Sequence, residues 1–166
     1  MTSRTFPQLS QCLSFLLAVC LLLSLSACSF LAPQQDSGPP PAQAQRVVKT
    51  AYSQMGKKYR LGGASPSKGF DCSGLVYWVY RKNGVKVPRV TVDQARAGRA
   101  VSRSQLRPGD IVVFRTGRSP RGLHTGIYAG DGAFIHSPRA GQRVRMESLN
   151  IKYWKSKLIT ARRIIR

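Results

Sequence analysis

The chain has 166 residues, 42% of them hydrophobic, and carries 27 Lys plus Arg against 6 Asp plus Glu, a formal charge of +21. Only one of its four cysteines, Cys72, lies beyond residue 28, which excludes a disulfide framework or a cysteine-rich zinc site in the folded part. Such a charge first suggests nucleic acid, but the cations are scattered instead of grouped on one predicted helix; the expected partner is an anionic envelope surface or polymer, and no nucleic acid.

Arg4 precedes an apolar run, LSFLLAVCLLLSLSACSFLA, that suits a secretory h-region ending on small residues. Read from Leu13 to Ala32 the run is also long enough to span a bilayer, so a permanent anchor is the alternative. Leu25-Ser26-Ala27-Cys28 resembles the bacterial lipobox, which implies a signal peptide over 1–27, removed with Cys12 and Cys20, and a lipid on Cys28. The expected location is the cell envelope, lipid-anchored to a membrane; in a Gram-negative cell Ser29 points to the outer membrane, facing the periplasm. Residues 28–45 include SFLAPQQDSGPPPAQAQ, which lacks an apolar period and reads as a flexible tether, and 46–166 read as one globular domain without internal repeats.

Within that domain, residues 46–54 predict a short helix stopping near Gly56, followed by GKKYRLGGASPSKG as loop. Leu75, Val76 and Val79 recur at helical spacing before an Asn83-Gly84 stop, and Cys72 lies on the same stripe at the start of that helix. Pro108-Gly109 leads into a strand at 111–114, HTGIYAGDGAFIHS reads as a hairpin, and two more strands are expected at 144–149 and 158–165. Helices first and an antiparallel sheet afterwards predict an α+β domain.

GKKYRLGG, GFDCSGLV, LRPGDIVVF and HTGIYAGDGAFIHS, in this order, resemble the signature stretches of the NlpC-type cell-wall peptidases, a papain-like family of cysteine endopeptidases. The resemblance covers about residues 46–166 and implies N-terminal helices packed on an antiparallel sheet. It also implies cleavage within peptidoglycan stem peptides, between D-glutamate and diaminopimelate or lysine, with no cofactor. Carried onto this chain, it makes Cys72 the nucleophile, His124 the general base and His136 the orienting third residue. Tyr59 then falls near the oxyanion, and Asp71 and Ser73 flank the nucleophile and line the substrate site.

The residues support that chemistry independently. A thiol attacks as thiolate, and an ordinary cysteine, with a pKa of about 8.5, is only a few per cent ionised near neutrality. A helix N-terminus favours the anion and an imidazole can take the proton, so Cys72 at a helix start with both histidines of the chain in one hairpin fits a nucleophile better than a small buried hydrophobe. Asp71 beside a thiolate opposes ionisation and suits an N-cap. Cys, His and His could also bind zinc, but no carboxylate follows at metal-ligand spacing, and no metal is expected. A papain-like amidase or acyltransferase, and a non-catalytic wall-binding lipoprotein, remain the alternatives; the molecule is expected to act as a monomer.

Parity constrains the hairpin. Opposed residues in an antiparallel pair have a constant sum, so a two-residue loop at Gly130-Asp131 or Asp131-Gly132 would put the histidines on opposite faces. A three-residue loop, Gly130-Asp131-Gly132, pairs Ala129 with Ala133, Tyr128 with Phe134 and Ile127 with Ile135, and brings His124 and His136 to one face as diagonal neighbours.

Overall fold

A computed structural model of the chain describes residues 41–117 and 122–165. The signal peptide at 1–27, the lipidation site Cys28 and the tether up to residue 40 lie outside the described residues. Helix α1 spans Ala42–Tyr52 and buries Ala44, Val47, Val48 and Ala51, the i, i+3, i+4, i+7 stripe of an amphipathic helix. It starts four residues before the expected Arg46. The tether-like AQAQ is recruited because Ala44 packs directly on Gly109 of the turn before the sheet, and Pro41 precedes the helix, where a missing N–H costs nothing.

The stretch read as loop contains two minimal strands, β1 (Ala64–Ser65) and β2 (Gly69–Phe70), paired antiparallel. Two residues are too few for any period to register in sequence. Helix α2, Cys72–Lys82, follows at once and ends at Asn83, as expected. Its buried stripe includes Leu75, Val76, Val79 and Tyr80. Next come α3 (Thr91–Gln94), β3 (Arg99–Val101), a single 3-10 turn (Arg103–Gln105), β4 (Ile111–Arg115), β5 (Leu123–Gly130), β6 (Ala133–His136), β7 (Arg145–Ser148), α4 (Lys152–Lys157) and β8 (Leu158–Arg163). Expectation missed α3, β3 and α4, each of six residues or fewer. Trp154 is the only buried residue of α4, so KYWKSK shows no helical pattern.

The large sheet has six strands in the order β3-β8-β4-β5-β6-β7, with every described pairing antiparallel. The fold is therefore α+β, as read from the sequence. Alternation along the strands divides the core. Ile111, Val113, Ile127 and Ile135 pack with α1 and α2, whereas Val112, Phe114, Tyr128 and Phe134 pack with Trp154 on the other face. A buried bidentate pair, Arg163 Nε to Asp110 Oδ1 at 2.9 Å and Nη2 to Oδ2 at 2.8 Å, ties β8 to the entry of β4.

The β5–β6 register is the one parity selected: Ile127 opposes Ile135 and Tyr128 opposes Phe134. The turn is not the expected one. Gly130, not Ala129, pairs with Ala133, leaving a two-residue turn at Asp131-Gly132. Both residues have positive φ, 49° and 71°, the mirror-type turn that matches strand twist, and glycine suits the second position. A bulge at Ala129 supplies the extra residue and restores the even sum. The expectation had assumed an unbroken ladder.

Candidate active site

The position of Cys72 is built by a cap. Asp71 Oδ1 accepts from the Gly74 N–H at 2.6 Å, and Oδ2 accepts from the Gly62 N–H at 2.9 Å. Arg89 completes the carboxylate bidentately, with Nη1 to Oδ1 at 3.0 Å and Nη2 to Oδ2 at 2.8 Å, and also donates to Ser73 Oγ at 3.0 Å. Asp71 is thus the N-cap that its place before the helix suggests, with its charge neutralised from outside the helix. Gly74 is required by closeness: a Cβ there would lie 2.0 Å from the Gly63 carbonyl oxygen and 2.9 Å from Asp71 Oδ1.

A second brace ties the helix start to the sheet. Fully buried Gln94 donates through Nε2 to the carbonyls of Ser73 (3.0 Å) and Pro88 (2.8 Å), and its Oε1 accepts from Thr125 Oγ1 at 3.0 Å. Losing a buried partner of this kind leaves polar groups unsatisfied, at about 1–3 kcal/mol each. Directly after β6, Ser137 Oγ donates to the Phe70 carbonyl at 2.7 Å, just before the cap.

His124 and His136 come together as expected. His124 Nε2 lies 2.7 Å from His136 Nδ1, with the rings edge to face. Trp154 stacks on His124 at 5.7 Å and meets His136 edge-on at 5.1 Å between ring centroids. His136 is completely buried. Beyond it, Glu147 of β7 approaches Nε2 to 3.6 Å. That is longer than a formed hydrogen bond, and Nε2 has no other partner. Arg145 and the Trp154 indole N–H both donate to Glu147.

Cys72 and His124 open on one cleft of about 890 Å³, whose walls also carry Tyr59, Asp71, Ser73 and Arg139. All six residues that sequence reading assigned to the site chemistry of the folded domain (Cys72, His124, His136, Tyr59, Asp71, Ser73) are brought together, with His136 behind the wall. Reading missed Arg89, Gln94, Glu147 and Trp154, which are distant in sequence and join only through tertiary packing. One signal was present: Glu147 is the single glutamate in the chain. Among the described residues no three His, Cys, Asp or Glu side chains converge as a metal-binding group.

The electrostatics add burial to the influences expected from sequence. Burial pushes the Cys72 thiol above its ordinary value and the Asp71 charge adds to this, while the N–H groups of Thr125, Ser73 and Cys72 itself pull it down. Helix-terminal donors are present, but burial outweighs them, so the resting group is a thiol. Burial likewise raises the Tyr59 phenol, reinforced by Cys72 and Asp71. Burial holds His136 neutral by lowering its pKa, against the opposing pull of Glu147. Glu147 is held down at about 2, chiefly by His136, with Trp154 and Arg145 assisting against burial.

A cysteine at a helix N-terminus, opening with a strand histidine onto one cleft beside an antiparallel sheet, is the papain-like arrangement. Residues 56–163 match the NlpC/P60 family, and the chain belongs to it. It is 41% identical over 131 residues to murein DD-endopeptidase MepH of Escherichia coli K12, covering 75% of this chain and 48% of that protein. It is 45% identical over 121 residues to the protein named murein DD-endopeptidase MepS/murein LD-carboxypeptidase of the same strain, covering 72% and 62%. The chain thus spans roughly half to three fifths of these relatives. A solved NLP/P60 family structure from Staphylococcus aureus Mu50, described as similar to lipoprotein, superposes with a TM-score of 0.71 at 34% identity, covering 82% of this chain and 46% of that one.

Proposed function

We propose that this chain is a cysteine endopeptidase acting on the stem peptides of peptidoglycan. The observation that carries the reading is Cys72 opening on the same cleft as His124, whose Nε2 is engaged by His136 at 2.7 Å. With that nitrogen taken, the remaining ring nitrogen of His124 is the one to receive the thiol proton. The thiolate then attacks the amide carbon and the carbonyl electrons move to oxygen, with the Tyr59 hydroxyl and the Cys72 N–H as the donors to that charge. Collapse breaks the C–N bond, and His124 returns the proton to the leaving amine. Water, deprotonated by His124, then hydrolyses the thioester and releases Cys72 as the thiol. Asp71 and Ser73 reach the cleft wall, but the cap, Gly62 and Arg89 occupy their polar atoms, so both act by holding the nucleophile.

The family resemblance favours the D-glutamyl–diaminopimelate bond. The names of MepH and MepS favour instead a bond between two D-centres, as in a crosslink. Incubation with a crosslinked muropeptide dimer separates them. Two intact monomer stems indicate D,D cleavage, a disaccharide dipeptide indicates the glutamyl bond, and freed lactyl groups indicate an amidase. Retention on walls without any product would refute the enzyme.

The N-terminal lipobox-like stretch supports attachment to an envelope membrane through a lipid on Cys28, and the net charge supports adsorption to anionic wall polymer. Retention of the protein on isolated walls should fall steeply between about 50 and 500 mM salt, with turnover of a small soluble muropeptide changing less than about twofold. Equal salt sensitivity of both would locate the essential cations at the cleft and count against the adsorption role.

A further inference from the structure

We propose that Glu147 is a positioning residue that fixes the proton of His136 on Nε2 and thereby hands His124 to Cys72 in the correct tautomer. The inference deepens the peptidase reading and rests on it for its kinetic part. The hydrogen bond between the histidines needs one donor and one acceptor. For His124 to act as base on the nucleophile, its Nε2 must carry the hydrogen, so His136 Nδ1 must be bare. A neutral His136 then carries its proton on Nε2, the nitrogen that faces Glu147 at 3.6 Å and nothing else.

The sheet builds this contact. β6 and β7 pair His136 with Arg145 and Phe134 with Glu147, so Glu147 is the diagonal neighbour of His136 on one face. Arg145 donates to Oε1, the oxygen that faces His136, and the Trp154 indole donates to Oε2, so both fix the carboxylate; Glu147 itself is not on the cleft wall. A chain with 27 cationic and 6 acidic side chains thus places its one glutamate directly behind the orienting histidine. The 3.6 Å gap is of the kind that shortens when the neighbouring His124 ring gains charge in the reaction and polarises the His136 N–H toward the carboxylate. The proton stays on His136 Nε2 throughout; the carboxylate orients the ring and offsets the imidazolium that forms on His124.

The full chain labelled with 15N tests this directly, because imidazole nitrogen shifts distinguish the tautomers without substrate. Wild-type His136 is expected as the Nε2–H form with Nδ1 bare. Glu147→Met, of similar length but without an oxygen acceptor, should lose that preference and lower kcat roughly 10- to 100-fold, with KM holding within about twofold. Glu147→Gln, which keeps an acceptor, should recover to within about tenfold of wild type. An Nδ1–H His136 in the wild type overturns the inference whether or not the Met variant folds. So does an unchanged tautomer with wild-type kcat in Glu147→Met. A wild type that leaves muropeptides intact sinks the peptidase reading instead, while the tautomer still decides the role of Glu147.

Discussion

Replacing Cys72 with serine is expected to abolish hydrolysis of stem peptides, with activity at least about 10⁴-fold lower, and to leave thermal unfolding nearly unchanged. The exchange of sulfur for oxygen keeps the side chain's shape, and the hydrogen bonds that hold the site are made by other side chains. The cap runs from Asp71 to Gly74, Gly62 and Arg89, and the brace from Gln94 to Ser73, Pro88 and Thr125. A hydroxyl in this setting is far less acidic than the thiol, so the same neighbours cannot generate a nucleophile from it. Iodoacetamide should inactivate the wild type with one alkylation at Cys72, the free cysteine among the described residues. Because burial keeps the thiol protonated at rest, the rate of alkylation should rise with pH beyond the ordinary cysteine range instead of levelling near neutrality. Measured hydrolysis by Cys72→Ser at the wild-type rate would end the cysteine-peptidase reading.

The second large effect concerns the histidines. His124→Ala should lose essentially all activity, because it removes the base that takes and returns the proton. His136→Ala should lose roughly 100-fold, and His136→Asn should keep the activity within about tenfold, since an amide can still hold the His124 ring. Both His136 variants sit in a packed aromatic group with Phe134 and Trp154, so the alanine form should also unfold at lower temperature, and the asparagine form less so. Kinetics and melting curves recorded on the same preparations separate the two losses. Unchanged kcat in a folded His136→Ala protein would exclude an orienting role for that residue.

How much of this was legible in the sequence follows from the range of each interaction. Asp71 capping Cys72–Lys82 and the Asn83 stop are local, and composition at fixed offsets is enough to read them. The histidine pairing is longer in range, but strand parity carried it across the turn, even though the turn itself was misread because a bulge leaves no mark in a string containing Ala129-Gly130. Arg89 on Asp71, Gln94 under Ser73 and Glu147 behind His136 join residues from separate elements and obey no period. The local influences on the thiol's acidity, the helix terminus, an imidazole and the opposing Asp71 charge, are legible in sequence, but burial, which outweighs them, depends on how deeply the packed fold encloses that terminus.

The tip of the β5–β6 hairpin acts as a length buffer. Ala129 is the residue the bulge takes out of the ladder, so deleting it would leave Gly130 opposite Ala133 and Tyr128 opposite Phe134 in an unbroken register. Both histidines would keep their face, and the chain would be one residue shorter without cost to the geometry of the site. An insertion between Phe134 and Ile135 has no such outlet. It would rotate His136 to the side of Ile127 and Ile135 and break its contact with His124. Insertions and deletions in this hairpin are therefore admissible at its outer end and forbidden near either histidine, which makes the tip the natural place for the protein to change length as it diverges.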